Sequence, residues 1–372
     1  MNPQEQFCPK MNCEARGQIG KGNIVQHSRK ERRYKCKQCN STFTERKGSA
    51  MYGLKKPEEL FVLVITLLSY GCPIPAIVAT FRLDVRTVRS WLLKAGGHCQ
   101  EVHEHVVQQH QMDLQQVQAD EIKVKTQSGW YWMACAMQVT TRLWIGGVVS
   151  LRRDFRLAQQ LATQIRSMAL CRQLLLAVDG WASYVRAFQN AFRSPLHTGQ
   201  IGRPRLIAWR EVAIVQVVKR RSRDKLEISR RIVQGCAQMI SVLIQVTQRS
   251  GGINTAYIER LNATFRQRLD ILTRRTRTLA RNQATLQAGM YLVGCVYNFC
   301  TFHKSLRLPL YLVKHRVHWV QRTPAIAAGL TDHRWSVTDL LNFKVPPPRW
   351  RPPKCRGRPS LATLDLVHQW CS

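Results

Sequence analysis

Asp179 is the residue whose setting points most directly to chemistry, because it follows a short apolar run and precedes Gly180. The run from Leu174 to Val178 is typical of a strand that is buried on both faces, and Gly180 marks the turn that ends it. A carboxylate at the tip of such a strand is costly unless positive charge compensates it. The pattern therefore predicts that Asp179 binds a divalent metal ion, with Asp120 and Glu259 as carboxylate partners from distant parts of the chain.

Glu259 belongs to an amphipathic helical pattern over residues 254–273. One face is apolar, whereas Glu259, Asn262 and Arg266 share another face at positions i, i+3 and i+7. Arginine is abundant here, so we predict that Arg260, Asn262 and Arg266 contact DNA phosphates. The alternative is that Glu259 is an ordinary ion-pair partner on a basic helix.

Asp120 falls in a predicted strand over residues 117–124 and is followed by Glu121. Side chains alternate between the two faces of a regular strand, so Glu121 is expected on the face opposite Asp120. Asp120 is therefore the preferred metal ligand of the two.

Four cysteines lie in short-spaced pairs near the start of the sequence: Cys8, Cys13, Cys36 and Cys39. Two such pairs favour a Cys₄ zinc ribbon over residues 1–50, which would bind one structural Zn²⁺ ion. A segment this small buries too little apolar surface to fold without its metal. The alternative is four unrelated thiols on a flexible arm.

Residues 55–97 have the pattern of an all-α helix-turn-helix. The third predicted helix, over residues 85–95, ends at Gly96 and Gly97 and has an apolar inner face. Its predicted DNA-binding residues face outward: Arg86, Arg89 and Lys94. A generic three-helix bundle with a basic surface is the alternative.

The elements that must position the three carboxylates follow a polar helical linker, predicted over residues 98–116. Three strands, a helix, a strand and a helix predict an α/β core with a mixed sheet flanked by helices. We expect this core over residues 117–310, with an insertion at about 194–250. Within the insertion, a strand is predicted over residues 212–218 and a helix near residues 228–246.

The last part of the sequence predicts a helical module over residues 311–343 and a Pro-rich basic tail over residues 344–372. Because residues 345–359 of this tail are rich in proline and basic charge, we expect them to be extended and disordered. Its Arg356-Gly357-Arg358-Pro359 run has the core of a minor-groove AT-hook. A plain basic tail that contacts phosphates is the alternative.

Charge points to the class of partner. The chain of 372 residues contains 57 Lys and Arg against 22 Asp and Glu, a net charge of +35. A field of this sign favours a polyanion, and nucleic acid in particular. No apolar run is long enough to span a bilayer and no secretory signal is visible, so we expect no membrane partner and a cytoplasmic, nucleoid-associated location.

Taken together, these motifs resemble the DDE transposases of bacterial insertion sequences, most closely the insertion sequence one type. The resemblance covers most of the chain. It rests on the cysteine finger, the helix-turn-helix, Ala119-Asp120-Glu121, Asp179-Gly180-Trp181 with Tyr184, and Ile258-Glu259-Arg260-Leu261-Asn262. Further matches are Tyr297-Asn298-Phe299 with His303 to Arg307, and Thr323-Pro324-Ala325 with Ala328-Gly329-Leu330.

The resemblance implies an RNase H-like core in which Asp120, Asp179 and Glu259 are catalytic and hold two Mg²⁺ or Mn²⁺ ions. It implies cleavage and strand transfer of double-stranded DNA, with binding to the element's terminal inverted repeats and to target DNA, by at least a dimer. Two alternatives stay open. One is a non-catalytic DNA-binding regulator derived from a transposase, and the other is a nuclease or resolvase that only hydrolyses.

Overall fold

The structure is a computed structural model. It describes residues 2–127, 129–170, 172–196, 199, 202–222, 225–249, 251–273, 279–280, 282–311, 317–350 and 360–371. The chain divides into two compact units, which we treat separately. The finger unit comprises Met1–Glu58 and Leu341–Ser372, and the sheet unit comprises Glu59–Leu340.

The finger unit contains a small antiparallel sheet of β1 (Ile24–Ser28), β2 (Arg33–Cys36) and β3 (Thr42–Thr44), in that order. Its core is too small to be stable through apolar burial alone. Tyr34 and Phe43 stack with their ring centroids 6.0 Å apart, and the four cysteines pack around them. The structure thus confirms a Cys₄ cluster in this part of the chain.

The finger unit is completed by residues that lie almost three hundred positions further along the chain. Leu341 O accepts a hydrogen bond from Ala50 N at 2.9 Å, and Val345 N donates to Gly48 O at 3.2 Å. Arg16 Nε donates to Pro348 O at 2.9 Å. These bonds hold an irregular segment, residues 341–350, which we call the closing segment.

The closing segment corrects the prediction of disorder at residues 345–359 for the part that the structure describes, residues 345–350. Val345 and Pro347 are half-buried on the finger. A proline-rich segment forms no regular helix or strand, but its carbonyl groups still accept hydrogen bonds. Leu361–Cys371 forms a helix. The predicted AT-hook over residues 356–359 lies outside the described residues.

The sheet unit is built on six strands in the order β11-β10-β7-β4-β5-β6. The strands are β4 (Gln116–Lys125), β5 (Trp130–Gln138), β6 (Trp144–Ser150), β7 (Leu174–Asp179), β10 (Val212–Ser222) and β11 (Lys225–Gln234). The first three form an antiparallel meander, and β7 pairs parallel with both β4 and β10. A short hairpin of β8 (Arg193–Leu196) and β9 (Arg205–Ala208) stands apart from this sheet.

Helices cover the two faces of this sheet, as predicted for a mixed α/β core. They are α4 (Phe155–Met168), α5 (Ala182–Ala191), α6 (Ala237–Gln248) and α7 (Ala256–Arg268). α6 packs on alternate residues of the central strands, such as Leu175, Ala177 and Val215. Ile258, Leu261 and Phe265 of α7 are buried. Each such side chain contributes about 1.5–3 kcal/mol, so the stripe fixes which face of α7 meets the sheet.

Part of the segment predicted as an insertion, at about residues 194–250, instead forms two strands of the six-stranded sheet, β10 and β11. β10 pairs with β7 from Val212↔Leu174 to Val217↔Asp179. The helix predicted near residues 228–246 begins only at Ala237, because the preceding residues form β11 and pair with β10. The apolar residues of KLEISRRIVQ alternate with polar ones well enough to serve a strand, and pairing with β10 decides the outcome.

Three helices precede the sheet: α1 (Glu58–Ser69), α2 (Ile74–Phe81) and α3 (Val85–His103). The prediction that the third helix ends at Gly96 is wrong, because α3 continues to His103 and takes in the first part of the helical linker predicted over residues 98–116. A π-helical turn follows at Glu104–Gln108, and the chain enters β4 at Gln116. Gly96 serves close packing rather than termination. A Cβ at Gly96 would lie 2.4 Å from Ala288 O in α8 (Gln283–Cys295), so a glycine lets the two helices approach.

The predicted helical module over residues 311–343 is also only partly correct. Its first residues belong to a hairpin of β12 (Leu308–Tyr311) and β13 (Val317–Val320), and short helices follow as α9 (Pro324–Ala327) and α10 (Val337–Asn342). Within the described part of the chain, no helix is both long and apolar enough to cross a bilayer.

Candidate active site

Three carboxylates meet where β4 and β7 stop pairing. The last paired residues of these strands are Ala119 and Val178, and the next residue on each strand is an aspartate. The carboxylate oxygens of Asp120, Glu121 and Asp179 lie within 4.8 Å of one another. We call these three residues the acid cluster. Parallel strands bring their carboxyl ends to one edge of a sheet, which explains why residues 59 positions apart are neighbours.

Asp120 is held from two sides. Asn262 Nδ2 donates to Asp120 Oδ2 at 2.9 Å, and the backbone N of Glu121 donates to Asp120 Oδ1 at 2.9 Å. Burial, and after it the negative charges of Glu121, Asp179 and Glu259, together raise the pKa of Asp120 to about 7. The site therefore concentrates more negative charge than its protein partners neutralise.

Asn262 corrects one sequence prediction. It was predicted to contact DNA, but its side chain is 1% exposed and is bonded to Asp120. Its Oδ1 has no hydrogen-bond partner among the described residues. The i, i+3 spacing from Glu259 does place both residues toward the site, but Asn262 lies between α7 and the sheet and positions Asp120.

Glu121 shows both the strength and the limit of the alternation argument. Its side chain leaves β4 on the face opposite Asp120, as predicted, and accepts a hydrogen bond from Tyr184 Oη at 2.9 Å. Tyr184 belongs to α5, whereas the partner of Asp120 belongs to α7. Even so, the longer Glu121 side chain reaches past the end of the paired region and joins the acid cluster. Burial raises the pKa of Glu121, and the charge of Asp179 adds to the effect.

Arg153 neutralises part of this charge and was missed by the sequence analysis. Its guanidinium donates to Glu121 and lies 3.2 Å from Asp179 Oδ2. Arg153 follows β6, which runs in the same direction as β4 and β7, so its loop emerges at the same edge of the sheet. The strand order could have revealed Arg153, because loops that follow strands running in the same direction emerge at the same edge of the sheet.

Glu259 faces the same cleft but is not part of the acid cluster. Its Oε1 accepts hydrogen bonds from Lys219 Nζ and, at 2.8 Å, from Thr255 Oγ1. Partial burial opposes ionisation of Glu259, but the bonds from Lys219 and Thr255 outweigh it and lower the pKa. Gln118 fixes the start of α7, since its Oε1 accepts from two backbone amides of the helix at 3.0 Å.

Asp120 and Asp179 of the acid cluster line one cleft of about 810 Å³ together with Glu259. The polar and aromatic residues that line it are Asp120, Arg153, Asp179, Trp181, Lys219, Thr255, Glu259, Asn262 and Arg266. Arg266 was predicted and is found there, whereas the predicted Arg260 is exposed on another part of α7. The described residues therefore surround a strongly acidic centre with cations.

The donor set of this cleft suits a hard divalent cation. Mg²⁺ prefers carboxylate oxygens and keeps several waters, so an open acid cluster of this type is able to hold it. The raised pKa of Asp120 supports the fit. Besides burial, repulsion from Glu121, Asp179 and Glu259 raises this pKa, and a bound cation would offset that repulsion. Asp120, Glu121 and Asp179 are the residues that would hold the ion.

The three positions on α3 that were predicted to face outward differ in exposure. Arg86 is exposed, Arg89 and Lys94 are half-buried, and Val88 and Ala95 are fully buried. Asp84 caps the helix, because its side chain accepts from Arg86 N at 2.6 Å. The turn before it places Arg82 in the left-handed region with φ 49°.

The four predicted zinc ligands do come together in the finger unit. Cys8 Sγ lies 3.6 Å from Cys39 Sγ, and Cys13 Sγ lies 3.9 Å from Cys36 Sγ. Thiolates at ~2.3 Å from a tetrahedral zinc ion would be about 3.8 Å apart. The cluster therefore fits a metal such as zinc, with Cys8, Cys13, Cys36 and Cys39 as its ligands.

No protein-family model matches this chain, and no curated protein matches it either.

Proposed function

We propose that the protein is a metal-dependent DNA transposase of the DDE type, with an RNase H-like core, that cuts and joins the ends of an insertion sequence. The observation that carries the proposal is the acid cluster at the edge of a mixed sheet, with Glu259 on the facing helix of the same cleft. A meander followed by parallel strands, with helices on both faces of the sheet, supports the RNase H-like part of the proposal.

The charges around the cleft support a phosphodiester substrate. Arg153, Lys219 and Arg266 line the cleft together with the carboxylates, so a phosphate entering it would meet cations on several sides. Two bound divalent ions would supply activation of the attacking oxygen and stabilisation of the leaving oxygen. Asp120, Asp179 and Glu259 are the proposed catalytic ligands, and Glu121 is added as a fourth carboxylate at the same centre.

In this proposal the residues of the chain have separate tasks. Asn262 and the Glu121 amide orient the Asp120 carboxylate, and Tyr184 orients Glu121. Lys219 and Thr255 hold Glu259 on the far side of the cleft through hydrogen bonds to its carboxylate. Arg153 neutralises part of the charge of Glu121 and Asp179 and would be in position to bind a substrate phosphate.

DNA recognition is assigned to the finger unit and to α2 and α3 acting as a helix-turn-helix. The exposed start of α3, with Arg86 and Arg89, would lie in a groove, and the finger would hold one structural Zn²⁺ ion. Phosphate contacts by the basic surface would supply most of the affinity. Binding to two element ends would require at least a dimer.

A cleavage and joining assay tests the proposal. The substrate is DNA that carries the sequences on either side of the gene, with Mg²⁺ and a separate target plasmid. We expect cut ends and products joined to the target with the wild type, and neither with Asp179→Asn. Glu211→Gln, which alters an exposed acid of the same unit, is the matched control and should cut normally.

The outcomes separate the alternatives. Specific binding of ends without any cleavage would overturn the proposal in favour of a DNA-binding regulator. Cut products that are never joined to target DNA would favour a hydrolytic nuclease. Equal cleavage by the wild type and Asp179→Asn would exclude the acid cluster as the catalytic centre.

A further inference from the structure

A row of alternating aromatic and cationic side chains extends from the acid cluster along the meander of the sheet. In order from the acid cluster, its members are Trp181, Arg153, Trp132, Lys123 and Trp130. We call this set the stacking row. Only Arg153 and Trp181 of the set touch the cleft described above.

The contacts in the row are continuous. The guanidinium carbon of Arg153 lies 4.4 Å from the ring centroid of Trp181 and 5.3 Å from that of Trp132. Lys123 Nζ lies 5.8 Å from the ring centroid of Trp132 and 3.9 Å from that of Trp130. The same Arg153 guanidinium contacts Asp179, so the inner end of the row is the acid cluster itself.

Strand geometry produces this arrangement. Lys123 on β4 is directly opposite Trp132 on β5, and Lys125 is opposite Trp130, so these side chains share one face of the sheet. Trp130 and Trp132 are two residues apart on that face, which separates them by roughly 6.8 Å. This is the face to which Glu121 also projects, since it precedes Lys123 by two residues.

The outer end of the row is open to solvent. Trp130 is 46% exposed and Lys123 is exposed, while Trp132 and Trp181 are half-buried. Exposed cation–π pairs contribute only about 0.5–1 kcal/mol each to stability. This small gain does not explain why a side chain as large and apolar as Trp130 is left in water. The row is better suited to a ligand than to the fold.

We propose that the stacking row binds single-stranded DNA, with bases on the tryptophan rings and phosphates on Arg153 and Lys123. Aromatic side chains interleaved with cations are the general means by which proteins hold unpaired nucleic acid, because every base has a face that stacks. The ~6.8 Å between Trp130 and Trp132 is about twice the ~3.4 Å rise of a stacked base, so one base fits between them once Lys123 moves to a phosphate. The inference rests on the proposed function for one point, namely that the bound strand is the one entering the acid cluster.

The test is binding of a fluorescein-labelled oligothymidylate to the full-length protein in buffer without Mg²⁺, Mn²⁺ or chelator, measured by fluorescence anisotropy. We expect Trp130→Ala and Trp132→Ala each to weaken binding roughly 5- to 100-fold, the range for one lost base stack. Trp130→Phe and Trp132→Phe should restore most of the affinity, because they keep an aromatic face. Lys123→Gln should lower the slope of log affinity against log salt by about 0.7.

Trp319→Ala is the matched control. Trp319 is also 45% exposed and also lies under a cation, with the Arg307 guanidinium carbon 3.8 Å from its ring centroid, but it belongs to β13 and not to the row. Its loss should leave oligothymidylate binding unchanged. Near-ultraviolet circular dichroism of each variant checks that the fold is retained.

Several outcomes would overturn the inference. Wild-type affinity in the Trp130→Ala, Trp132→Ala double variant would exclude stacking. Equal weakening toward a duplex of the same length would mean that only phosphates are contacted. Weakening confined to oligouridylate would assign the row to RNA.

Because the buffer contains no Mg²⁺ or Mn²⁺, this result is independent of catalysis. Asp179→Asn should fail to cut DNA but still bind oligothymidylate. If the wild type cuts and joins DNA but the row variants bind the single strand normally, the row falls and the proposed function stands. If the row variants bind weakly and no protein cuts DNA, the row stands and the proposed function falls.

Discussion

The Cys₄ cluster and the acid cluster gather ligands in opposite ways. In the finger unit, Cys8, Cys13 and Cys36 are 0% exposed and form the core together with Tyr34 and Phe43. In the sheet unit, Asp120 and Asp179 line an open cleft at the end of strands whose own core is apolar. Soft thiolates complete a closed site, whereas hard carboxylates leave positions for water and substrate. One site therefore holds its unit together, and the other is a charged centre carried by a unit that folds without it.

The largest expected effect is on the finger unit. Cys36→Ser removes one of four thiolate ligands from a core that has little else, and zinc binding supplies ~10–16 kcal/mol in small zinc-dependent folds. We expect elemental analysis to fall from about one zinc per chain to none. Hydrogen exchange should then show loss of protection over β1, β2 and β3 with the sheet unit unchanged. Full protection of β1 to β3 in zinc-free protein would show that the metal is not structural.

In contrast to the Cys₄ cluster, the acid cluster should lower the stability of its unit when its carboxylates ionise. The pKa of Asp120 is raised from its ordinary value of 3.8 to about 7, first by burial and then by the charges of Glu121 and Asp179. Between these pH values the folded protein binds more protons than the unfolded chain, so stability falls as pH rises through the window. The expected loss above pH 7 is about 4 kcal/mol. Asp120→Asn should remove it, which calorimetry at pH 5 and pH 8 would reveal.

Mg²⁺ sharpens the same test. A bound cation offsets the repulsion among the carboxylates, so Mg²⁺ should raise the melting temperature of the wild type at pH 8 and have little effect at pH 5, where protons compete. Asp120→Asn should show a weaker response to Mg²⁺. A melting temperature that rises with pH in the absence of metal would contradict this account of Asp120.

A smaller effect tests whether the closing segment belongs to the core of the finger unit. Gly17 has φ +67°, and a Cβ there would lie 2.0 Å from Pro347 O. Gly17→Ala should therefore cost about 1–3 kcal/mol through strain and displacement. Limited proteolysis should cut more readily near residues 345–350, while zinc content stays at the wild-type level. Gly20→Ala is the control, because Gly20 has a similar φ of +73° but no atom within 4 Å of its Cβ position.

The smallest effect concerns the cation beside the acid cluster. Arg153 bridges Glu121 and Asp179, so it competes with a metal ion for the same carboxylates. Arg153 and Asp179 are each about one-third exposed, and such pairs are worth up to ~1 kcal/mol, so loss of this pair in Arg153→Gln should tighten Mn²⁺ binding a few-fold. Isothermal titration calorimetry measures this directly. Weaker Mn²⁺ binding in Arg153→Gln would mean that the arginine holds the carboxylates in place instead of competing.

Local patterns predicted the elements on which the site depends. The helix predicted between the first three strands and the Asp179 strand is found as α4, and β7 ends at Asp179 as expected. These segments have strong periodicity and clear stops. Asp120 and Asp179 met as predicted, because parallel strands leave few ways to align a pair of carboxyl ends.

Other features depended on contacts that no local pattern contains. Gly96 resembles a helix stop, but packing against α8 keeps α3 continuous. The alternating residues of β11 were assigned to a helix because their pairing with β10 could not be anticipated. The strand order of the sheet places Arg153 and Lys219 at the site, whereas Glu121 reaches the site because its side chain is long. RNase H-like architecture, the helix-turn-helix and transposition itself stay predictions.

The closing segment has a consequence for how the molecule is made. The cysteines are synthesised early, but the residues that cover the finger follow about 290 residues later. At ~5–20 residues per second, this leaves roughly 15–60 s between the two events. During that interval the nascent finger must rely on zinc and its own short strands. Its thiols are then reactive toward oxidants, so the availability of zinc during translation would decide how much of the protein matures.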